Sequence, residues 1–289
     1  MYFNFVKNDF ENYYDTLKDS KIKEIIKYSL EDGKCIRSFL IKHIMRELSN
    51  NKIDIWEPII AIELIHGASL IIDDLPCMDN DEYRRNKLST FKKFGEREAI
   101  LVSFYAISQA FLLVFNGLEK LTNVELKNNF NDTDKLSLVR KIINEWSELI
   151  GKNLIVGQML DLKENIEELV NFKITNNVQV VKNIMIYKTC SLFIFTFLLG
   201  GIFSGNQINL DDFKEMGYHF GIMFQIMDDY KDMKDDDEYA NYILTNGILK
   251  AKEEYLNSKE KLLGLLEKNN LATVKILELI QIIDHKFGL

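Results

Sequence analysis

The sequence predicts an all-α protein, and three observations favour that fold class. The chain of 289 residues contains only 2 prolines and 14 glycines, which is few turn-forming residues for a protein of many strands. Apolar residues recur mostly at the spacing of three and four that gives a helix one buried face. Hydrophobic residues make up 47% of the chain, which is enough to bury a large core and excludes general disorder.

The predicted helices follow one another with short polar turns between them. No repeat or low-complexity tail interrupts the pattern, so residues 1–289 are expected to form a single domain. Pro58 suits the first turn of its helix, where its missing N–H costs nothing. The asparagine-rich stretch Leu121–Asp134 is expected to be a surface loop. The helices are predicted at Ser20–Leu30, Cys35–Leu48, Pro58–Ile72, Glu96–Leu118, Leu136–Leu162, Asn176–Leu199, Leu210–Met233, Leu244–Glu267 and Leu271–Lys286.

Two apolar stretches raise the question of a membrane span. Ala99–Leu118 is about long enough, but serine, glutamine and asparagine residues interrupt it, and Cys190–Gly205 is shorter than the roughly 20 residues that a bilayer requires. A helix that is apolar on all sides is typical of the centre of a helical bundle, so no membrane span is expected. The N-terminal residues lack the basic start and long apolar run of a signal peptide, which indicates a cytoplasmic protein.

The charge and the cysteines exclude further classes. The formal net charge is −8 and the sequence pI is about 5.2, so general attraction to nucleic acid or to an anionic membrane is not expected. Three scattered cysteines do not form a disulfide framework and indicate a reducing compartment. An anionic ligand must therefore be held by a local cluster of cations or by metal.

The first candidate site is an acidic segment that directly follows an apolar helix. Asp73, Asp74 and Asp79 lie on either side of Pro76, which should perturb the helix and present the carboxylates to a cavity. Arg84 and Arg85 follow closely.

A second acidic segment lies near the C-terminal end of another apolar helix. Gln225, Asp228 or Asp229, and Asp232 are spaced so that they form one polar stripe. Solvated acidic helix ends remain an alternative for this segment, whereas a calcium loop of the EF-hand type fails because the ligand spacing and the central glycine are missing. Six clustered carboxylates become favourable only with cations, and hard oxygen ligands select Mg²⁺ shared with substrate phosphates.

Cations recur at separate places in the sequence. Lys34 and Arg37 are three residues apart, and His66 lies two helical turns before Asp73 on the same face. Lys188, followed by Thr189, begins another helical stretch. Each is weak evidence alone, but together with Arg84 and Arg85 they suggest a metal-free basic anion site beside a metal-dependent acidic one. Two phosphate sites of opposite construction imply two phosphorylated substrates.

These motifs, in this order, resemble those of the trans-isoprenyl diphosphate synthases, the polyprenyl synthetase family, over nearly the whole chain. The acidic segment Asp73–Asp81 with its inserted Pro-Cys-Met looks most like that of geranylgeranyl diphosphate synthases. The matching stretches are Gly33–Arg37, Glu63–Asp74, Leu75–Arg85, Phe94–Glu96, Gly157–Leu162, Lys188–Thr189 and Phe224–Asp232.

The resemblance implies an isoprenoid synthase bundle around a central apolar cavity, normally a homodimer, that acts on small isoprenyl diphosphates. It implies Mg²⁺ as the cofactor (three ions per site in the family), with Mn²⁺ as a substitute. The residues matching the metal ligands are Asp73, Asp74, Asp79, Asp228, Asp229 and Asp232. Those matching the allylic diphosphate site are Arg84, Lys188, Thr189 and Gln225, and those matching the isopentenyl diphosphate site are Lys34, Arg37, His66 and Arg85.

Product length is inferred from the residues that precede the first acidic segment. In the family a bulky aromatic residue five positions before Asp73 stops elongation at fifteen carbons, whereas this chain has Ala68 there and Ser69 next to it. These small residues favour geranylgeranyl diphosphate. Phe104 could close the cavity instead, so farnesyl diphosphate remains an alternative.

The chain also departs from the family pattern. Cys35 replaces a basic residue, Ser38 a proline, and Asn86 a glycine. Tyr239 stands where the family has a lysine that closes over the allylic diphosphate, so weaker allylic binding is expected. Two rivals remain open: a terpene cyclase, and a non-catalytic partner subunit of an active prenyltransferase.

Overall fold

A computed structural model of the chain describes residues 2–125, 132–162, 177–233 and 241–289. About 80% of it is helical, which confirms the predicted all-α class. The only β-structure in the described residues is a short antiparallel hairpin of β1 (Tyr83–Arg84) and β2 (Lys87–Leu88).

The chain divides into two compact units that are interleaved in sequence. The first unit comprises Met1–Val139 and Leu199–Gln207, and the second comprises Arg140–Leu198 and Ile208–Leu289. The expectation of a single domain stays a prediction. Each acidic segment belongs to a different unit, so each is described within its own unit.

In the first unit, the helix that ends at the first acidic segment is the central element. This helix, α4 (Glu57–Asp73), packs against α6 (Glu96–Lys120) and against the N-terminal helices. Its interior residues from Ile59 to Ile65 are buried almost completely. The remaining elements are α1 (Phe3–Thr16), α2 (Ser20–Leu30), α3 (Ile36–Leu48), α5 (Thr90–Phe94) and the π-helical segment π1 (Leu121–Glu125).

In the second unit, the corresponding central element is the helix that carries the second acidic segment. This helix, α11 (Leu210–Asp232), packs against α13 (Ile248–Lys268), α14 (Val274–Phe287) and the π-helical segment π3 (Met185–Cys190). The other elements are π2 (Trp146–Asn153), α8 (Leu154–Asp161), α9 (Asn177–Ile184) and α12 (Tyr242–Asn246). Two helices, α7 (Asp132–Glu145) and α10 (Ser191–Ile202), contribute residues to both units.

Local sequence explains where several helices begin. The Asp19 carboxylate accepts a hydrogen bond of 2.9 Å from the Ile22 N–H and caps α2. Asn241 caps α12 in the same way. Pro58 lies in the first turn of α4, as predicted.

The structure corrects several predicted boundaries. Helix α1 was not predicted, and the expected loop Leu121–Asp134 is π-helical at Leu121–Glu125 and helical from Asp132 onward, with residues 126–131 outside the described part. The predicted helix Leu244–Glu267 is divided at Gly247, which has φ of 82°. A residue with this φ cannot continue a right-handed helix.

Two helical stretches in the described residues are long and apolar enough to cross a membrane by length and composition alone. In Val178–Ile202, 72% of the most apolar window is buried inside the protein, as in a core helix. In Glu96–Asn123 the buried share is 39%, so this helix keeps an exposed apolar face.

Candidate active site

The first acidic segment forms a compact turn at the end of α4. Asp74 is the C-cap residue, and the Asp79 N–H donates a hydrogen bond of 2.9 Å to the Asp73 carbonyl, which folds the chain back on the helix end. Pro76 lies two residues after Asp74 and prevents continuation of the helix. As a result Asp73 and Asp74 are only 7% and 2% exposed. Buried carboxylates require compensation by hydrogen bonds or cations.

Arg84 supplies that compensation for Asp74. Its Nε donates a hydrogen bond of 2.8 Å to Asp74 Oδ1, and its Nη2 also contacts that oxygen and Asp81. Burial raises the pKa of Asp74, against the effect of the Arg84 hydrogen bond. Burial disfavours the Arg84 cation, but the hydrogen bond to Asp74 and the negative charges of Asp74, Asp81 and Asp73 together outweigh burial, so the pKa of Arg84 is raised.

Arg85 occupies the strained turn of the β-hairpin. Arg85 and Asn86 have φ of 54° and 62°, the left-handed conformation that a two-residue hairpin turn of type I′ requires. Asparagine tolerates this conformation well, which explains how Asn86 can replace the family's glycine. Arg85 does so at a cost, and such strain is common at functional sites. Its Nη1 donates to the carbonyls of Ser29 (3.4 Å) and Glu31 (3.1 Å), which fixes the side chain.

The structure brings the predicted isopentenyl-site residues together in the first unit. Four cations act electrostatically on His66 and, together with burial, lower its pKa well below the usual value. His66 is therefore neutral and can donate or accept a hydrogen bond. We call Lys34, Arg37, Arg85 and His66 the basic cluster; Arg84, a predicted allylic-site residue, is the fourth cation that acts on His66.

The loop before α3 shapes one side of the basic cluster. A Cβ on Gly33 would lie 3.2 Å from Arg85 Nη1, so glycine lets the guanidinium pack against the loop. Cys35 has φ of 52°, and burial raises the pKa of its thiol to about 12, so it supplies no charge. The Ser38 N–H donates a hydrogen bond of 3.1 Å to Glu63 Oε1, which the family's proline could not do.

A small cleft lies in the first unit beside the basic cluster. Its volume is about 20 Å³, and it is lined in part by Asp74, Arg84, Arg85 and Ser89. The Ser89 hydroxyl is buried and has no hydrogen-bond partner among the described residues. A buried polar atom of this kind is costly unless a ligand or a water satisfies it.

In the second unit the predicted allylic-site residues form a chain of hydrogen bonds. The Thr189 hydroxyl donates to Gln225 Oε1, and Gln225 Nε2 donates to Asp229 Oδ1 at 2.6 Å. The backbone N–H of Tyr242 donates to Asp229 Oδ2 at 2.8 Å, and Asp229 is 3% exposed.

Asn241 is a residue that sequence reasoning missed. It is completely buried, and its Nδ2 donates a hydrogen bond of 2.7 Å to the Asp229 carbonyl. Its Oδ1 accepts from the N–H groups of Ile243 and Leu244. The hydrogen bond between Asn241 and Asp229 depends on tertiary folding. Only the capping role of Asn241 was readable from the sequence.

The other predicted groups of the second unit have acidic or basic partners within that unit. Lys188 Nζ lies 2.5 Å from Asp161 Oδ2, and Lys231 pairs with Asp228. Asp232 is exposed at the end of α11. Tyr239, where the family has a lysine, lies outside the described residues.

The carboxylates of the two acidic segments are chemically suitable ligands for a hard divalent cation. Oxygen donors suit Mg²⁺, which commonly takes one or two carboxylates and completes its shell with water and substrate phosphates. Across the ranges that the structure describes, no three histidine, cysteine or acidic side chains are close enough to share an ion. The buried pair Asp73 and Asp74 is thus suited to hold a metal together with substrate oxygens.

The residues predicted to set product length differ in exposure. Ala68 is 2% exposed on α4, and the Ser69 hydroxyl donates a hydrogen bond of 2.9 Å to the His66 carbonyl. Phe104 is 67% exposed, because α6 turns it outward on the same face as Leu101. This exposure argues against Phe104 as a cavity wall within one chain.

Comparison with known proteins places the chain in a family. It matches the polyprenyl synthetase family over residues 19–256. It is 33% identical over 262 residues to a farnesyl diphosphate synthase of Micrococcus luteus, covering 90% of this chain and 81% of that protein. It is 28% identical over 254 residues to a chloroplastic geranylgeranyl pyrophosphate synthase of Capsicum annuum, covering 87% and 63%.

Solved structures agree with this placement. A crystal structure of a geranyltranstransferase of Thermotoga maritima superimposes with a TM-score of 0.77 at 27% identity, covering 99% of this chain and 98% of that one. The fold and the two acidic segments define a prenyltransferase. The chain belongs to the polyprenyl synthetase family, whose members use a divalent metal for catalysis.

Proposed function

We propose that the protein condenses isopentenyl diphosphate with an allylic diphosphate, dimethylallyl, geranyl or farnesyl, by 1′-4 condensation and loss of a proton. The observation that carries this proposal is the basic cluster beside the buried pair Asp73 and Asp74. Cations without metal ligands suit one diphosphate, and carboxylates suit a second diphosphate that brings a metal.

The basic cluster would bind the isopentenyl diphosphate. Lys34, Arg37 and Arg85 supply positive charge, and guanidinium groups offer paired donors to phosphate oxygens. His66 is neutral in this surrounding, so its role is a hydrogen bond rather than an ion pair. The hydrogen bonds of Arg85 to backbone carbonyls hold its side chain in place before the ligand arrives.

The allylic diphosphate would be held by the acidic segments and their neighbouring donors. Mg²⁺, with Mn²⁺ as a substitute, would stabilise the charge that develops on the leaving diphosphate. The residues proposed to hold the metal are Asp73, Asp74, Asp79, Asp228, Asp229 and Asp232, and those proposed to contact the diphosphate are Arg84, Lys188, Thr189 and Gln225.

The protein's own groups then drive the reaction by charge and position. Arg84 and Lys188 stabilise negative charge on the departing diphosphate as the allylic C–O bond breaks. The basic cluster holds the isopentenyl double bond near the allylic carbon, which replaces a bimolecular encounter.

For the product we propose geranylgeranyl diphosphate, on the ground that Ala68 is small. Farnesyl diphosphate is a second candidate, favoured by the name of the Micrococcus relative. The test is Ala68→Tyr, with chromatography of the products. A shift of the product toward shorter chains supports the wall at Ala68, whereas an unchanged product places the wall elsewhere.

We further propose that the protein is a cytoplasmic homodimer that pairs through α6. The support is a row of apolar side chains on one face of α6, exposed in the single chain: Leu101 (67%), Phe104 (67%), Phe111 (39%) and Leu112 (48%). A contiguous row of exposed apolar side chains is typical of an interface. Light scattering should give a dimer for the native chain and a monomer for the double variant Leu101→Glu, Phe104→Glu. A native monomer would contradict the proposal.

The experiment that tests the function uses the purified protein alone. It is incubated with Mg²⁺, isopentenyl diphosphate and allylic diphosphates of increasing length, and the products are identified by chromatography. We expect a longer prenyl diphosphate to form, and we expect its formation to stop when the metal is chelated. No product from any primer would favour the non-catalytic partner, and a cyclic hydrocarbon would favour the cyclase.

A further inference from the structure

The stretch Gly157–Leu162 has no role in the function proposed above, yet it is fixed firmly against Lys188. A Cβ on Gly157 would lie 2.5 Å from the backbone nitrogen of Lys188 and 2.9 Å from its Cα. Real side chains do not approach this closely, so α8 and π3 touch backbone to backbone at this point. The α8 side chains near Gly157 are therefore held in a defined position relative to Lys188.

Asp161 uses this position to hold the Lys188 ammonium. It is the last residue of α8 and lies one helical turn beyond Gly157. Its Oδ2 lies 2.5 Å from Lys188 Nζ, and the two side chains are only 20% and 24% exposed. A lysine side chain is flexible and loses much conformational freedom when it is fixed. A partly buried partner therefore determines where the lysine ammonium lies.

We propose that Asp161 is a positioning residue for Lys188, an inference that rests on the proposed role of Lys188 in binding the allylic diphosphate. Asp161 holds the ammonium in place before the diphosphate arrives. Its negative charge at the same time opposes binding of an anion. An asparagine keeps an oxygen acceptor for the ammonium and removes the charge, whereas an alanine removes both.

The test compares Asp161→Ala with Asp161→Asn. We expect the alanine variant to raise the KM for the allylic diphosphate roughly tenfold, the size of one charge-assisted hydrogen bond. The asparagine variant should stay within about threefold of the native KM by the same reasoning. The KM for isopentenyl diphosphate should not change in either variant. As a matched control, Glu148→Ala removes a carboxylate from the exposed pair with Lys152 and should change neither KM.

A double-mutant cycle separates positioning from a structural role. In a Lys188→Ala background, Asp161→Ala should have less than about a twofold further effect on the allylic KM, because no ammonium is left to position. An equal loss in both backgrounds would overturn the proposal, as would an asparagine variant as impaired as the alanine variant.

Calorimetry with inorganic pyrophosphate and Mg²⁺ provides a readout that needs no turnover. The Asp161→Asn variant should bind pyrophosphate at least as tightly as the native chain, and it remains informative if Asp161→Ala does not fold. Binding by the asparagine variant that is weaker by more than about threefold would contradict the proposal. A native chain without turnover would instead overturn the proposed function, so the two failures are distinguishable.

Discussion

The two acidic segments are built differently, each within its own unit. In the first unit, cations from a loop, a helix and a hairpin turn converge on a neutral histidine beside buried carboxylates. In the second unit, the side chains of Thr189, Gln225 and Asp229 are tied to one another and to the N-terminus of α12 by hydrogen bonds. The first arrangement concentrates charge for ligands, and the second fixes the positions of polar groups.

The largest expected effect tests whether the first unit depends on charge. Asp74→Asn keeps an acceptor for Arg84 but removes the carboxylate proposed to hold the metal. We expect kcat to fall roughly a thousandfold, the size of a lost electrostatic contact to the transition state. Steady-state product formation measures it.

Asp81→Asn is the matched control, because Asp81 also contacts Arg84 but is exposed. It should retain nearly native kcat. If Asp74→Asn also kept kcat within tenfold, the difference that we draw between the two units would be wrong.

The next effect concerns the basic cluster alone. Arg85→Gln removes a guanidinium held by two backbone carbonyls, and we expect the KM for isopentenyl diphosphate to rise roughly tenfold to a hundredfold. The allylic KM should change much less. Arg97→Gln, an exposed residue of α6, serves as the control, and equal effects of both variants on the isopentenyl KM would refute a specific role.

A smaller effect tests whether the second unit depends on fixed geometry. Asn241→Ala removes the α12 cap and the hydrogen bond to the Asp229 carbonyl, so the free energy of unfolding should fall by about 1–2 kcal/mol. Urea denaturation measures this change. Asn246→Ala removes a single hydrogen bond to Tyr242 at the end of the same helix and should cost less; the reverse order would contradict the account.

The smallest expected effect is on the pH dependence of the free energy of unfolding, and it arises because His66 is neutral in the folded protein. Because burial and nearby cations lower its pKa, unfolding at low pH lets it take up a proton. Its contribution is therefore fully present above the unfolded pKa of about 6.5. It is lost as the pH falls below that value, by about 1.4 kcal/mol per pH unit at most.

A comparison of native protein with His66→Gln checks this sign. Urea denaturation at pH 7.5 and 5.5 should show a smaller loss of stability in the variant. An identical pH dependence in both proteins would mean that folding does not lower the pKa of His66.

Much of the fold was readable from the sequence because apolar spacing directly reports buried helix faces. The prediction Leu210–Met233 differs from α11 by one residue, and Cys35–Leu48 differs from α3 by one. Helix α1 lies outside the predicted helices, although its buried residues Val6, Phe10 and Tyr13 follow helical spacing.

Other features depend on tertiary contacts that a sequence does not show. The hairpin turn at Arg85 and Asn86 lacks the glycine that usually marks it. The π-helical segment that carries Lys188 has no sequence signature, and the close approach at Gly157 is visible only once both backbones are in place. The basic cluster was predicted residue by residue, but its effect on the protonation of His66 required the structure.

The most direct test of the central claim is calorimetric titration of the native protein with isopentenyl diphosphate in the presence of a metal chelator. The account predicts measurable binding without metal, weakened by Arg85→Gln and unchanged by Asp228→Asn. Binding that occurs only when Mg²⁺ is added would contradict the claim that the basic cluster holds this diphosphate by its own charges.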